Sequence, residues 1–118
     1  MKTLFRVLFV LICLIITTLP SISQITITSP NGGEIWIAGS QHAITWTSNN
    51  VDNVLIAYST DMFNTINVIA ASVQASLGTY TWTVPTALST LCQVYIVDVS
   101  NPAVYDYTDG DFMIHRTT

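Results

Sequence analysis

Ser29-Pro30-Asn31-Gly32-Gly33-Glu34-Ile35-Trp36-Ile37-Ala38-Gly39-Ser40, followed after three residues by Ile44-Thr45-Trp46, decides the fold of this chain. A Pro/Asn/Gly/Gly turn leads into a short apolar piece. A Gly-Ser turn then leads into an alternating strand. The same grammar continues to the end of the chain. Apolar residues alternate with Thr, Ser, Asn and Gln in short runs, turn residues separate the runs, and no stretch after the leader has helical periodicity. The pattern predicts strands over 25–28, 34–37, 42–47, 53–59, 67–71, 79–84, 92–99 and 111–115, with a short edge piece over 104–107. Turns are expected at Asn31-Gly32-Gly33, Ala38-Gly39-Ser40, Ser48-Asn49-Asn50, Leu77-Gly78 and Ser100-Asn101-Pro102, and over 60–65 and 85–90. Short, evenly spaced strands of this kind predict an all-β, immunoglobulin-like or fibronectin III-like antiparallel sandwich of about seven strands.

The first 23 residues read differently. Lys2 and Arg6 precede an apolar run from Val7 to Ile16, and the small-x-small triplet Ser21-Ile22-Ser23 follows. That is the pattern of a cleaved secretory signal peptide. The run is short for a membrane span, which takes about 20 residues. The expected organisation is a leader over 1–23 and one domain over 24–118, with a secreted, extracellular or cell-surface location. Cleavage removes Lys2 and Arg6 and leaves Arg116 as the one Lys or Arg against seven carboxylates, a formal charge of −6. Nucleic acid and anionic membrane surfaces are therefore not expected partners. Cys92 remains as a lone cysteine and is expected to be a buried, inert thiol.

Alternation assigns faces. Tyr80, Trp82 and Val84 share one side of their strand and Thr79, Thr81 and Thr83 the other; Ile44 and Trp46 point inward. The in-phase tryptophans read as core rather than as sugar-stacking platforms.

At this point the residues resemble a known family. Ile27-Thr28-Ser29-Pro30-Asn31-Gly32-Gly33-Glu34, Trp36, Ala38-Gly39-Ser40, Ile44-Thr45-Trp46-Thr47, Val51-Asp52-Asn53-Val54 and Ser59-Thr60-Asp61 are similar to the immunoglobulin-like N-terminal domain of the yeast Kre/Knh cell-wall synthesis proteins. The likeness continues through Gly78-Thr79-Tyr80-Thr81-Trp82-Thr83-Val84-Pro85, Cys92, Asp98, Ser100-Asn101-Pro102 and Asp109-Gly110-Asp111-Phe112. The resemblance implies a β-sandwich in an extracellular setting. Fungal members include lipid-anchored surface proteins, some tied to β-1,6-glucan assembly, and the motif positions imply no catalytic residues. This chain departs from the pattern after Asp61, where Met62-Phe63 and Ile66 stand in place of a Gly-rich turn and an aromatic. With no C-terminal apolar anchor signal, no stable membrane anchor is expected in the mature chain.

A further departure lies on the outer face. With Val54, Ile56 and Tyr58 inward on one strand and Cys92, Val94 and Ile96 inward on another, the outward set is Leu55, Ala57, Gln93, Tyr95 and Val97. The last strand turns Met113 and His115 out. Leu55, Ala57, Tyr95, Val97 and Met113 would then form one apolar patch for a protein partner or a second copy. The alternative is scattered surface hydrophobes, shielded by the loop carrying Met62 and Phe63. Tyr105 and Tyr107, flanking the loop before the last strand, are candidate contacts for a cell-wall polysaccharide such as β-glucan.

Catalysis has little support. No G-x-S-x-G elbow occurs, His42 opens a strand, His115 closes one, and Glu34 is the single Glu, placed to accept N–H groups of its own turn. A non-enzyme without cofactors is expected. Asp106, Asp109 and Asp111 form a weak calcium candidate, since carboxylates around a Gly turn suit Ca²⁺, but the spacing is not that of an EF-hand. The sequence therefore reads as a secreted adhesion, assembly or scaffolding module, with a glucan-binding or glucan-assembly module as the alternative.

Overall fold

The computed structural model describes residues 22–116. The expected leader lies outside the described residues except for Ile22 and Ser23. Nine strands build two sheets: β1 Gln24–Ser29, β2 Ile35–Ile37, β3 Gln41–Asn49, β4 Asn53–Ser59, β5 Asn67–Gln74, β6 Thr79–Thr83, β7 Ser89–Asp98, β8 Asn101–Tyr107 and β9 Phe112–His115. A single 3-10 turn, Ala75–Leu77, joins β5 to β6. One sheet runs β1-β3-β6; the other runs β2-β9-β7-β4-β5, with β8 also paired to β7. The fold is an all-β immunoglobulin-like sandwich, as the alternation required.

Several elements differ in length from the sequence expectation, among them β7, which starts at Ser89 inside the turn expected over 85–90. Ser48 and Asn49 belong to β3 rather than to a turn, because β1 pairs with it out to Gln24↔Asn49, and the turn falls at Asn50, whose φ is 57°. β5 continues to Gln74, with two register shifts against β4. The short edge piece is a seven-residue strand. β8 and β9 together act as one interrupted partner of β7: β9 pairs near Ser89 and Cys92, and β8 pairs at Tyr95, Ile96 and Val97.

The opening stretch docks into that interruption. Glu34 clamps its own turn, accepting the N–H groups of Asn31 and Gly32 at 2.8 Å each. The clamped turn lies on Asp109-Gly110: Gly110 N–H donates to Asn31 O, Asp109 N–H donates to Asn31 Oδ1, and Gly33 N–H donates to Asp111 O. At the centre the backbones meet, since a Cβ on Gly32 would stand 3.0 Å from the Gly110 Cα. Beyond the turn, β2 runs parallel to β9, with Trp36 opposite Ile114.

Inside, Trp36, Trp82 and Phe112 pack edge-on or tilted, with ring centroids 5.2–6.4 Å apart, and Tyr58 tilts onto Trp82 at 5.1 Å. Both strand tryptophans named above are buried, and the Trp46 Nε1–H donates to Ala75 O at 3.0 Å. Ile44, Val54, Ile56, Val94 and Ile96 fill the rest of the core. Cys92 is fully buried, and burial pushes its thiol pKa up, leaving it poorly ionised.

Two substitutions test this account. Gly32→Ala meets both a φ of +129° and the Gly110 backbone, whereas Gly33→Ala has open space around it. The first is expected to lower unfolding free energy by at least about 1–3 kcal/mol, and by more than the second, in denaturant melts. The buried Thr108 Oγ1 has no partner among the described residues. Thr108→Val removes that hydroxyl at nearly constant shape, so thermal melts are expected to show no loss or a gain in stability.

Candidate functional site

Strand register builds the site. Leu55 on β4 stands opposite Val97 on β7, which stands opposite Tyr105 on β8. One step along, Ala57 stands opposite Tyr95, which stands opposite Tyr107. Cross-strand partners share a face, so the six residues form two rows on the outer side of the larger sheet. The inward partners, Val54, Ile56, Val94 and Ile96, alternate with them in the core. The two tyrosines expected beside the loop before the last strand, as a site of their own, are therefore part of the apolar face.

Exposure grades across the rows. Tyr105 is 50% and Tyr107 49% exposed, while Leu55, Tyr95 and Val97 are half-buried. Ala57 is fully buried, which corrects its expected place on an open patch. Its methyl is too short to rise above its neighbours and lies outside the core cluster. The rings form a continuous cluster. Tyr95 lies 5.7 Å from Tyr105, and Tyr105 lies 6.3 Å from Tyr107 with planes only 15° apart. Phe63 closes one end, meeting Tyr95 at 6.3 Å and Tyr107 at 6.0 Å, edge to face. Burial raises the Tyr95 pKa, with Tyr105 adding to the effect, so its hydroxyl stays neutral.

Met113 does not join these rows. β9 pairs with the first residues of β7, not with the part carrying Tyr95 and Val97. Met113 stands opposite Ile35 of β2 and, with Leu88, Ser89, Thr90 and His115, lines a shallow cavity of about 330 Å³. The separation from Val97 is roughly 20 Å along the strand, at about 3.4 Å per residue. A ten-residue β7 with different partners along its two halves is the reason.

Phe63 is held by a strained loop that the sequence marks only as a departure from the family pattern. Met62 and Phe63 have φ of 57° and 63°, a region that costs a non-glycine residue about 1–3 kcal/mol. Hydrogen bonds hold it there. Asp61 accepts from Thr65 N at 2.9 Å, Thr65 Oγ1 at 2.7 Å and Ser59 Oγ at 2.8 Å, and Ser59 Oγ accepts from Phe63 N at 2.8 Å. These donors, led by the Thr65 N–H, lower the Asp61 pKa below its ordinary value. Ser89 Oγ, donating to Thr60 O at 2.8 Å, ties the loop to β7.

The other candidate residues serve the frame. Asp106 accepts from Ile27 N at 2.8 Å, capping β1. Asp111 accepts from Gln93 Nε2 at 2.8 Å, and Asp98 accepts from Ser100 N and Oγ in the turn between β7 and β8. The calcium candidate is thus not assembled: Asp106 and Asp111 bind separate donors, and among the described residues no three His, Cys, Asp or Glu side chains stand where they could hold a metal ion. His42 stacks on Trp36 with ring centroids 4.4 Å apart and planes 1° apart. His115 Nδ1 lies 2.9 Å from Arg116 O. No helix among the described residues is long and apolar enough to cross a membrane.

Comparison with known proteins gives a family match. The family model described as the Kre9/KNH-like N-terminal Ig-like domain matches residues 29–114. No curated protein and no solved structure gave a significant match.

The Asp61 anchor makes a pH prediction. A carboxyl whose native pKa is depressed adds stability above its unfolded pKa and loses it as pH falls through the native value. Asp61→Asn is therefore expected to melt below the wild type at pH 7. The difference should shrink as pH falls below the ordinary value of 3.8, as followed by calorimetry at stepped pH.

Proposed function

The chain belongs to the Kre9/KNH-like N-terminal Ig-like domain family, a cell-wall-related one, and from that premise we propose that it is a secreted, non-catalytic module that docks a protein partner at the cell surface through the outer face of its larger sheet. One observation carries this reading: the register of β4, β7 and β8 collects Leu55, Val97, Tyr95, Tyr105 and Tyr107 into one uncharged, aromatic-rich surface. Aromatic residues with polar tips suit such docking because they give large contact area at little entropic cost. The one carboxylate on β8, Asp106, turns away to β1, so neither row carries a charge. That chemistry supports an adhesion or assembly role in the wall.

A non-catalytic reading is supported by where the polar groups are spent. Both Glu34 oxygens hold backbone amides, and the His42 ring lies flat on Trp36. A second reading has its own observation. The near-parallel Tyr105 and Tyr107 rings, half-exposed and carrying hydroxyls, suit stacking on the apolar face of a neutral sugar such as a wall β-glucan unit.

Binding to insoluble cell-wall fragments separates the two. Val97→Lys puts a charge at the middle of one row, and retention is expected to fall by about tenfold or more, equivalent to about 1.4 kcal/mol, with the melting temperature little changed. Protease treatment of the fragments abolishes binding to a protein partner. Binding that survives protease and is lost in Tyr105→Ala points to the polysaccharide. Full retention by Val97→Lys and Tyr105→Ala together removes the face from the function.

A further inference from the structure

The two long sides of the sandwich are finished differently. On one side the edges are short or shielded: β2 is a strand of only three residues, β8 pairs with β7, and the Asp106 carboxylate takes the Ile27 N–H of β1. On the other side, β5 and β6 end their sheets without a further strand. Between them lies a groove of about 370 Å³, lined by Tyr58, Val68 and Ile69 on one flank and Tyr80, Trp82 and Pro85 on the other. Val68 is 59% exposed and neighbouring Ile66 58%. Natural edge strands are commonly guarded by Lys, Pro or bulges. β5 is bulged, with two register shifts against β4. β6, Thr79-Tyr80-Thr81-Trp82-Thr83, has no such device: its pairing with β3 is regular from Thr79 to Thr83 and it carries no charge and no proline.

The free backbone groups of β6 can be identified. Trp46 N–H donates to Gly78 O, and Val84 N–H donates to Ser40 O. Bonds of that offset bracket the wide pairs of an antiparallel ladder, here Thr45↔Thr79 and Gln41↔Thr83. Wide and narrow pairs alternate, so Tyr80 and Trp82 bond to β3, while Thr79, Thr81 and Thr83 point their N–H and C=O groups to the open edge.

We propose that this edge is a homodimer interface in which β6 pairs antiparallel with β6 of a second copy about a twofold axis at Thr81. Three observations select a second copy. The strand is self-complementary about Thr81: Thr81 meets Thr81 of the second copy, Thr79 meets Thr83, and Tyr80 meets Trp82 twice on the inner side. The three threonines that a twofold pairing requires as hydrogen-bonded pairs are the three whose backbone groups face outward. Finally, the chain carries seven carboxylates against few cations, so two copies repel, yet from Met62 to Val97 there is no Asp, Glu, Lys, Arg or His. The β5–β6 side is where a second acidic copy can approach without facing acid. Pairing there also brings the exposed Val68 and Ile66 toward the junction.

The axis of such a pair is perpendicular to the sheet, so the outer faces of both larger sheets point the same way. If those faces dock a partner as proposed above, the dimer is bivalent, and its two weak contacts act together on one surface. The dimer itself does not depend on that reading.

Light scattering or sedimentation of the purified protein over a concentration series is expected to show mass rising from one chain to two. Thr81→Pro removes an outward N–H and no bond to β3, so the fold is expected to stay and the dimer to weaken by more than about tenfold. Thr81→Cys is expected to form a covalent dimer on oxidation, because Cα atoms in a narrow pair lie about 5.5 Å apart, within disulfide range. The buried native Cys92 gives the wild type no such product. A protein that stays monomeric throughout overturns the proposal, as does a dimer unaffected by Thr81→Pro. Should Thr81→Pro fail to fold, the cross-link decides, and its absence overturns the proposal. A dimer lost in Leu55→Lys but kept in Thr81→Pro moves self-association to the sheet face and likewise overturns it.

Discussion

Two glycine backbones in contact set the geometry on which the sandwich depends. The tight side is Gly32: a Cβ there would stand 3.0 Å from the Gly110 Cα, whereas one on Gly110 would find ordinary contact at 3.4 Å. Around them, three hydrogen bonds tie Asn31 and Gly33 to the break between β8 and β9, and the Glu34 carboxylate holds the turn itself with two more. The consequence is positional. The first strand belongs to one sheet and the second to the other, and the crossing is held at a single place. From there Trp36 enters the core in register with Ile114, between His42 on one side and Phe112 on the other. A domain whose single described cysteine is free has no covalent staple between sheets. The interlocked turns and the aromatic cluster take that role.

The same break shapes the face that the protein offers outward. Because β7 changes partner from β9 to β8 along its length, the last third of the chain contributes two different surfaces. β8 delivers tyrosines to the uncharged rows and a carboxylate to the opposite side, as alternation demands. Asp61 and Ser59 spend their hydrogen bonds holding a strained pair of residues, and the result is that Phe63 rests on Tyr95 and Tyr107. A hydrogen-bond network thus holds a strained loop at the rim of an exposed aromatic cluster.

Much of this was legible in the residues. Period-two alternation with Pro, Asn and Gly punctuation identified the sandwich, and the phase of Ile44, Trp46 and Trp82 identified core positions, since inward residues must be apolar when a small domain has little else to hold it. The role of Glu34 follows from a carboxylate placed directly after an Asn-Gly-Gly turn. What could not be read was pairing at a distance. Nothing local says that β7 shares its length between two partners, so alternation alone groups Met113 with Val97 and keeps Tyr105 apart from it. Ala57 had the right side and the wrong exposure, because burial of a methyl depends on the size of its neighbours across strands. The acidic run around Gly110 looked like ligand chemistry but was consumed by backbone donors from Ile27 and side-chain donors such as Gln93, which sequence spacing does not reveal.

The parallel pairing of β2 with β9 also has a kinetic meaning. Its partners, Ile35 with Met113 and Ile37 with His115, lie nearly the full length of the domain apart in the chain. Long-range contacts of this kind slow folding, because the entropy of closing the intervening loop must be met before the contact contributes. During synthesis the Trp36 pocket therefore stays open until β9 has been made. The sandwich shuts only when β9 joins β2 and β7.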